Sequence, residues 1–252
     1  MTETPTPQVL NISAYRFVAL PDCESLRPLL EERAAALELK GTVLLASEGI
    51  NLFLAGAASG IHAWLDALRL DARFAGLEAK ESWSEAQPFQ RLKVKVKREI
   101  IRMDWTMPPE QARAPAVDAL TLKRWLDQGH DDAGRPIKLL DTRNAFEVDE
   151  GAFEGAVDWR IDKFTEFPAA VAAHREELAG HTVVSYCTGG IRCEKAALLL
   201  QDQVDAPVYQ LEGGILKYFE LAGGAHYRGG CFVFDERRGV GPDLRPSTAV
   251  SG

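Results

Sequence analysis

The 252-residue sequence is poor in cysteine, with four residues, and no two of them form a Cys-x-x-Cys pair. Cys23, Cys187, Cys193 and Cys231 are too few and too scattered for a secreted disulfide framework, so a reduced compartment and thiol chemistry fit better. No apolar run approaches the roughly 18 residues of a membrane span, and Met1 to Leu10 lacks the basic-then-apolar order of a signal peptide. A cytoplasmic protein is expected. Positive charge is also scarce. With 29 basic against 37 acidic side chains the formal net charge is -8, which excludes nucleic-acid binding through an overall positive field. Any RNA contact has to be local. What is present, 46% hydrophobic and 26% charged residues, is the composition of a folded globular chain, and the length suits two domains.

The order of apolar runs supports that division. Val9 to Val18 reads as a strand, Pro21-Asp22-Cys23 opens a helix to about Leu39, and Gly41 to Ala46 and Ile50 to Leu54 read as a hairpin. Ala58 to Leu68 is helical, and a last strand at about Arg91 to Ile100 would complete a β-α-β-β-α-β ferredoxin-like unit over residues 8–102, an antiparallel sheet with both helices on one face. Residues 103–116, with Pro108, Pro109 and Pro115, read as a linker. From 117 to 228 strands and helices alternate. Leu120 to Leu126, Glu166 to Leu178, Cys193 to Gln203 and Ile215 to Leu221 are predicted helices, and Ile137 to Leu140, Thr182 to Tyr186 and Val208 to Leu211 predicted strands. That pattern implies a parallel sheet flanked by helices, with ligands at the carboxyl ends of its strands. Residues 229–252 hold one further expected strand, Cys231 to Phe234, and a polar tail.

The densest chemistry lies where the run Thr182 to Tyr186 feeds through Cys187-Thr188-Gly189-Gly190-Ile191-Arg192-Cys193 into a helix. Two glycines on a strand-to-helix turn let backbone N–H groups converge, and with the positive helix end they favour an anion at the centre. Cys187 is therefore expected to be a thiolate near neutral pH, with Arg192 adding positive charge. The bland alternative is a small buried residue after a strand. Cys187 to Arg192 is Cys-x4-Arg, one residue shorter than the Cys-x5-Arg loop sized for a phosphoryl group, and suits a smaller group such as a terminal sulfur.

This loop resembles the active loop of rhodanese-like proteins and, more narrowly, that of the tRNA uridine(34) hydroxylase family. Supporting stretches are Glu48-Gly49-Ile50-Asn51, Arg91 to Lys97, Asp141-Thr142-Arg143-Asn144 with Glu147-Val148, Gly151 to Ala156, Leu211 to Ile215 and Cys231 to Asp235. The similarity spans roughly residues 9 to 240. It implies an α+β, acylphosphatase-like first domain and an α/β rhodanese-like second domain. It also implies oxygen-dependent hydroxylation of C5 of the wobble uridine in the tRNA anticodon loop, with Cys187 as the active-site cysteine, carried as thiolate or persulfide. Molecular oxygen and an electron donor of unknown identity would be co-substrates, and no bound cofactor is identified. Longer relatives carry paired cysteines beyond the Phe-Asp stretch that are missing here, so no structural zinc is expected. Trp159-Arg160 departs from the Pro-Asn-like turn of the pattern.

Asp141 and Arg143 resemble the rhodanese Asp-x-Arg pair and either brace the cysteine loop or form a surface ion pair. Glu147 is read as structural support. Arg91, Lys93, Lys95 and Lys97 share one parity, so a strand there would present a basic ribbon, either to tRNA phosphates or as a guard on an edge strand. Cys193 either resolves an oxidised Cys187 or simply packs. Cys23 and Cys231 are read as structural, and Gly213-Gly214 as a turn shaping the pocket. His130-x-Asp132 and His174-x-Glu176 have the spacing of an iron triad, yet such matches arise by chance in an acidic chain, and solvated histidines are expected. Three functions compete: a tRNA uridine hydroxylase, a persulfide-carrying sulfurtransferase, and a non-catalytic RNA-binding module with a redox-sensing thiol. The oligomeric state is not readable from the sequence.

Overall fold

The computed structural model describes residues 9–107, 113–233 and 238–245, and the chain divides into two compact units, Met1–Arg102 and Met103–Gly252. In the first, β1 (Val9–Phe17), α1 (Cys23–Ala36), β2 (Lys40–Ala46), β3 (Gly49–Gly56) and α2 (Ala58–Arg69) succeed one another. Alternate residues of the strands point to one face: Leu10, Ile12 and Ala14 of β1, Val43 and Leu45 of β2, and Ile50, Leu52 and Leu54 of β3. They form one core with Leu30 and Ala34 of α1 and with Ile61, Trp64, Leu65 and Leu68 of α2, whose spacing is that of a helical apolar stripe. Both helices therefore cover the same side.

The last strand corrects the sequence reading. The edge beside β1 is taken by β4 (Lys80–Ser84), which runs antiparallel to it. The segment expected as the last strand, Arg91 to Ile100, forms only the shorter β5 (Leu92–Val96), paired parallel with β2 at the opposite edge. The order is β4-β1-β3-β2-β5, and the sheet is mixed. Lys-Glu-Ser-Trp-Ser carries no apolar alternation because none of its residues is buried. The Glu48-Gly49-Ile50-Asn51 stretch has a packing role: Glu48 Oε1 accepts from the Ile100 N–H at 2.8 Å and Asn51 Nδ2 donates to the Ile100 carbonyl at 3.1 Å.

In the second unit β6 (Ala116–Val117), α3 (Ala119–Gln128), β7 (Ile137–Asp141), α4 (Ala145–Asp149) and β8 (Gly151–Phe153) precede α5 (Phe167–His174). Then come β9 (Thr182–Tyr186), α6 (Ile191–Gln203), β10 (Val208–Leu211), α7 (Gly214–Ala222), β11 (Tyr227–Gly229), β12 (Cys231–Phe232) and β13 (Gly239–Val240). The main sheet is parallel, in the order β6-β10-β9-β7. The helix expected over Glu166 to Leu178 is shorter, because 3-10 turns at Phe164–Glu166 and Arg175–Leu178 flank α5. The strand expected from Cys231 to Phe234 stops at Phe232; Phe234 and Asp235, like Pro108 and Pro109, lie outside the described residues. β9 lies between two strands and is buried throughout, as its unbroken apolar character requires. Among the described residues no helix is long and apolar enough to cross a membrane.

Candidate active site

Cys187 follows the last residue of β9, and α6 starts four positions later, so the thiol sits below the positive end of a 13-residue helix. Gly190 makes the turn possible: at φ 107 it takes a left-handed conformation that other residues rarely adopt. In that geometry the Gly190 N–H donates to Cys187 Sγ at 3.1 Å. Cys193 Sγ lies 3.8 Å from Cys187 Sγ and bonds the Gly190 carbonyl at 3.2 Å. Burial pushes the Cys187 thiol up. The adjacent Cys193 side chain, the Arg192 charge and the backbone N–H groups of Cys193 and Gly190 more than offset this, bringing it down to about 5. Cys187 is thus ionised at neutral pH although only 1% exposed. Burial instead raises Cys231 to about 11 and also raises Cys23, so neither is a thiolate.

Two sets of contacts hold the loop. On one side the N–H groups of Ile215 and Leu216, at the start of α7, donate to the carbonyls of Cys187 and Thr188 at 2.9 and 3.2 Å. Gly214 permits that approach, since a Cβ there would lie 2.4 Å from the Cys187 oxygen, and its φ is +66°. On the other side Arg192 donates two bonds of 2.6 Å to the Glu147 carboxylate, a buried bidentate pair. Glu147 in turn caps α4 by accepting from the Asn144 N–H. Arg143 reaches the Glu147 carbonyl at 3.2 Å and the Gly151 carbonyl at 2.7 Å while its guanidinium grips Asp141. Both side chains of the Asp141–Arg143 pair are fully buried, which overturns the surface ion pair reading. Arg143 also lies over the Tyr186 ring, next to the cysteine.

An exposed aromatic stands near this loop. Phe146, the residue before Glu147, is 46% exposed and meets Phe232 edge-to-face at 5.2 Å. The Phe232 carbonyl accepts from Thr188 Oγ1 at 3.3 Å. A buried thiolate in a cup of donors, with a fixed cation behind it, can act as a nucleophile or hold a sulfur anion.

Two family models match the chain, a UPF0176 acylphosphatase like domain over residues 9–100 and a Rhodanese-like domain over residues 119–221. The tRNA uridine(34) hydroxylase of Variovorax paradoxus strain S110 is 65% identical over 243 residues, covering 96% of this chain and 92% of the relative. That of Delftia acidovorans is also 65% identical, over 94% of this chain and 90% of the relative. The Bordetella petrii relative of the same name is 61% identical over 97% of this chain and 98% of its own. The chain belongs to the tRNA uridine(34) hydroxylase family.

In this member of the family Cys187, Thr188, Gly189, Gly190, Ile191, Arg192 and Cys193 form one loop and helix start, with Asp141, Arg143 and Glu147 on the elements that brace it. Arg91, Lys93, Lys95 and Lys97 belong to the first unit, at and beside β5. The histidines of the two iron-like spacings have other roles: His174 pairs with Glu177 and stacks on Trp159, and His130 Nδ1 lies 2.8 Å from the Asp131 carbonyl. Sequence reasoning did not reach Phe146 or the link from Glu147 to Arg192. The only signal for Phe146 is a large apolar residue beside an acidic one on a short helix.

Proposed function

We propose that this chain hydroxylates C5 of the wobble uridine of tRNA with molecular oxygen, and that Cys187 is its catalytic residue. The observation that carries the reading is the ionised Cys187 in its amide cup, in a chain 58 to 65% identical over nearly its whole length to relatives bearing that name. The base has to leave the anticodon-loop stack to reach a buried sulfur, which costs little in an unpaired loop. The Cys187 thiolate then adds to C6, forming an S–C6 bond and displacing the C5–C6 electron pair into an enolate. C5 bonds one atom of O2, and the O–O bond is cleaved with two electrons and two protons from an external reductant, releasing water. Loss of the C5 proton expels the thiolate and restores the double bond. Glu147, Asp141 and Arg143 are positioning residues for the loop. Arg91, Lys93, Lys95 and Lys97 supply phosphate contacts, and the reaction takes place in the cytoplasm.

The test is the wobble-uridine profile of tRNA by mass spectrometry in a deletion strain complemented with wild-type protein or with Cys187→Ser. Restoration of 5-hydroxyuridine by the wild type alone is expected. Equal restoration by Cys187→Ser would refute the catalytic role. Cyanide-dependent thiocyanate formation from thiosulfate without any 5-hydroxyuridine would make the protein a sulfurtransferase instead.

A further inference from the structure

The first unit has helices on one face of its sheet, and the composition of the other face is unusual for an acidic chain. The strand residues that alternate with the core are Asn11, Ser13, Tyr15 and Phe17 on β1, Lys40, Thr42, Leu44 and Ala46 on β2, and Asn51, Phe53 and Ala55 on β3. Lys80, Ser82 and Ser84 on β4 and Lys93 and Lys95 on β5 complete it. No aspartate or glutamate occurs among these positions, although the chain as a whole carries a charge of -8.

Register places the groups. One row across the sheet runs Lys80–Ser13–Phe53–Thr42–Lys93, with a lysine at each edge and Phe53 on the central strand. Four strand spacings of ~4.8 Å make that row about 19 Å long. The next row runs Tyr15–Asn51–Leu44–Lys95, where Asn51 is buried against Ile100, and puts Tyr15 diagonal to Phe53, about 7–8 Å away. Phe53 is 45% exposed and Lys95 is exposed.

We infer that this face is a binding platform for single-stranded RNA, in which unstacked bases lie on Phe53 and Tyr15 and the adjoining phosphates pair with Lys93 and Lys95. Sheet faces that carry central aromatics and peripheral cations stack two or three bases in this way, and the absence of carboxylates removes repulsion from the backbone. The inference rests on the tRNA reading above and extends it. The lysines of β5 supply charge, and the rings select unpaired nucleotides over a duplex, whose bases are not available for stacking.

The experiment is fluorescence anisotropy on the full chain with a labelled eight-nucleotide oligouridine and a labelled RNA duplex, each titrated at several salt concentrations. For Phe53→Ala we expect about tenfold weaker oligouridine binding with an unchanged salt slope, and for Phe53→Trp binding near wild type. For Lys93→Gln/Lys95→Gln the slope of log K against log salt should flatten by about 1.4, the share of two phosphate contacts on a single strand. Unchanged oligouridine affinity in Phe53→Ala, or equal weakening toward oligouridine and duplex, overturns the platform. So does a wild-type dimer that Phe53→Ala converts to a monomer, since the face would then be an interface between two copies. Thermal unfolding of each variant shows that it is folded. The same variants are assayed for 5-hydroxyuridine: product formation that depends on Cys187 with RNA binding indifferent to Phe53 rejects the platform alone. Phe53-dependent RNA binding with no product from wild type rejects the hydroxylase alone.

Discussion

At the scale of single residues the site is an arrangement of charges withheld from water. Cys187 is ionised because close donors and Arg192 outweigh the cost of burial. Its reactive form therefore persists from neutral pH down toward about 5 and is lost as the thiolate gains a proton below that. We expect the rate of Cys187 alkylation by iodoacetamide, followed by mass spectrometry, to be flat above pH 7 and to fall on the acid side. A midpoint above pH 8.5 would contradict the account. Arg192 is buried against Glu147, so Glu147→Gln removes the carboxylate that balances the buried guanidinium. We expect a loss of about 3–5 kcal/mol in stability, read by denaturant unfolding. Arg192→Lys cannot reproduce the two parallel bonds and should weaken the fold in the same direction by less. Part of this was legible in the sequence. Cys187, the two glycines and Arg192 form a local pattern, whereas the Glu147 contact joins residues 45 positions apart and no spacing rule announces it.

At the scale of elements, α7 holds the Cys187 loop as much as α6 does. Two of its N–H groups end on loop carbonyls, and the approach depends on Gly214 having no side chain. Gly214→Ala forces its Cβ into the Cys187 carbonyl and should lower hydroxylation more than 100-fold, while global unfolding shifts by about 1–3 kcal/mol, as for other strained backbone positions. Comparison of initial rates with melting curves separates the two effects. The elements that sequence patterning reached are those with a buried face: β1, β2, β3, α2, β9 and α7 each show alternation, helical period or an unbroken apolar run. β4 escaped because an edge strand without buried residues has no pattern to read, and its strand state comes from pairing with β1. β5 lies at the opposite edge beside β2, and it keeps the alternation its sequence carries: Val94 enters the core and Lys93 and Lys95 face away.

At the scale of the whole molecule, the chain has two units with separate cores, and each matches its own family model. That division was visible in the sequence as a switch in the order of strands and helices with prolines between. The path of the chain within the first unit was not. β4 and β5 occupy opposite edges of the sheet, yet only the seven residues 85–91 separate them. The route across four strand spacings is at least about 19 Å, while eight backbone steps reach at most about 26–29 Å. This stretch is a tether drawn to about two-thirds to three-quarters of its full length. Lengthening it should be tolerated, since extra loop residues cost little entropy. Shortening it by three residues leaves a reach of about 17 Å, so one margin of the sheet would have to come loose, with a lower melting temperature and faster proteolysis within Leu92–Val96.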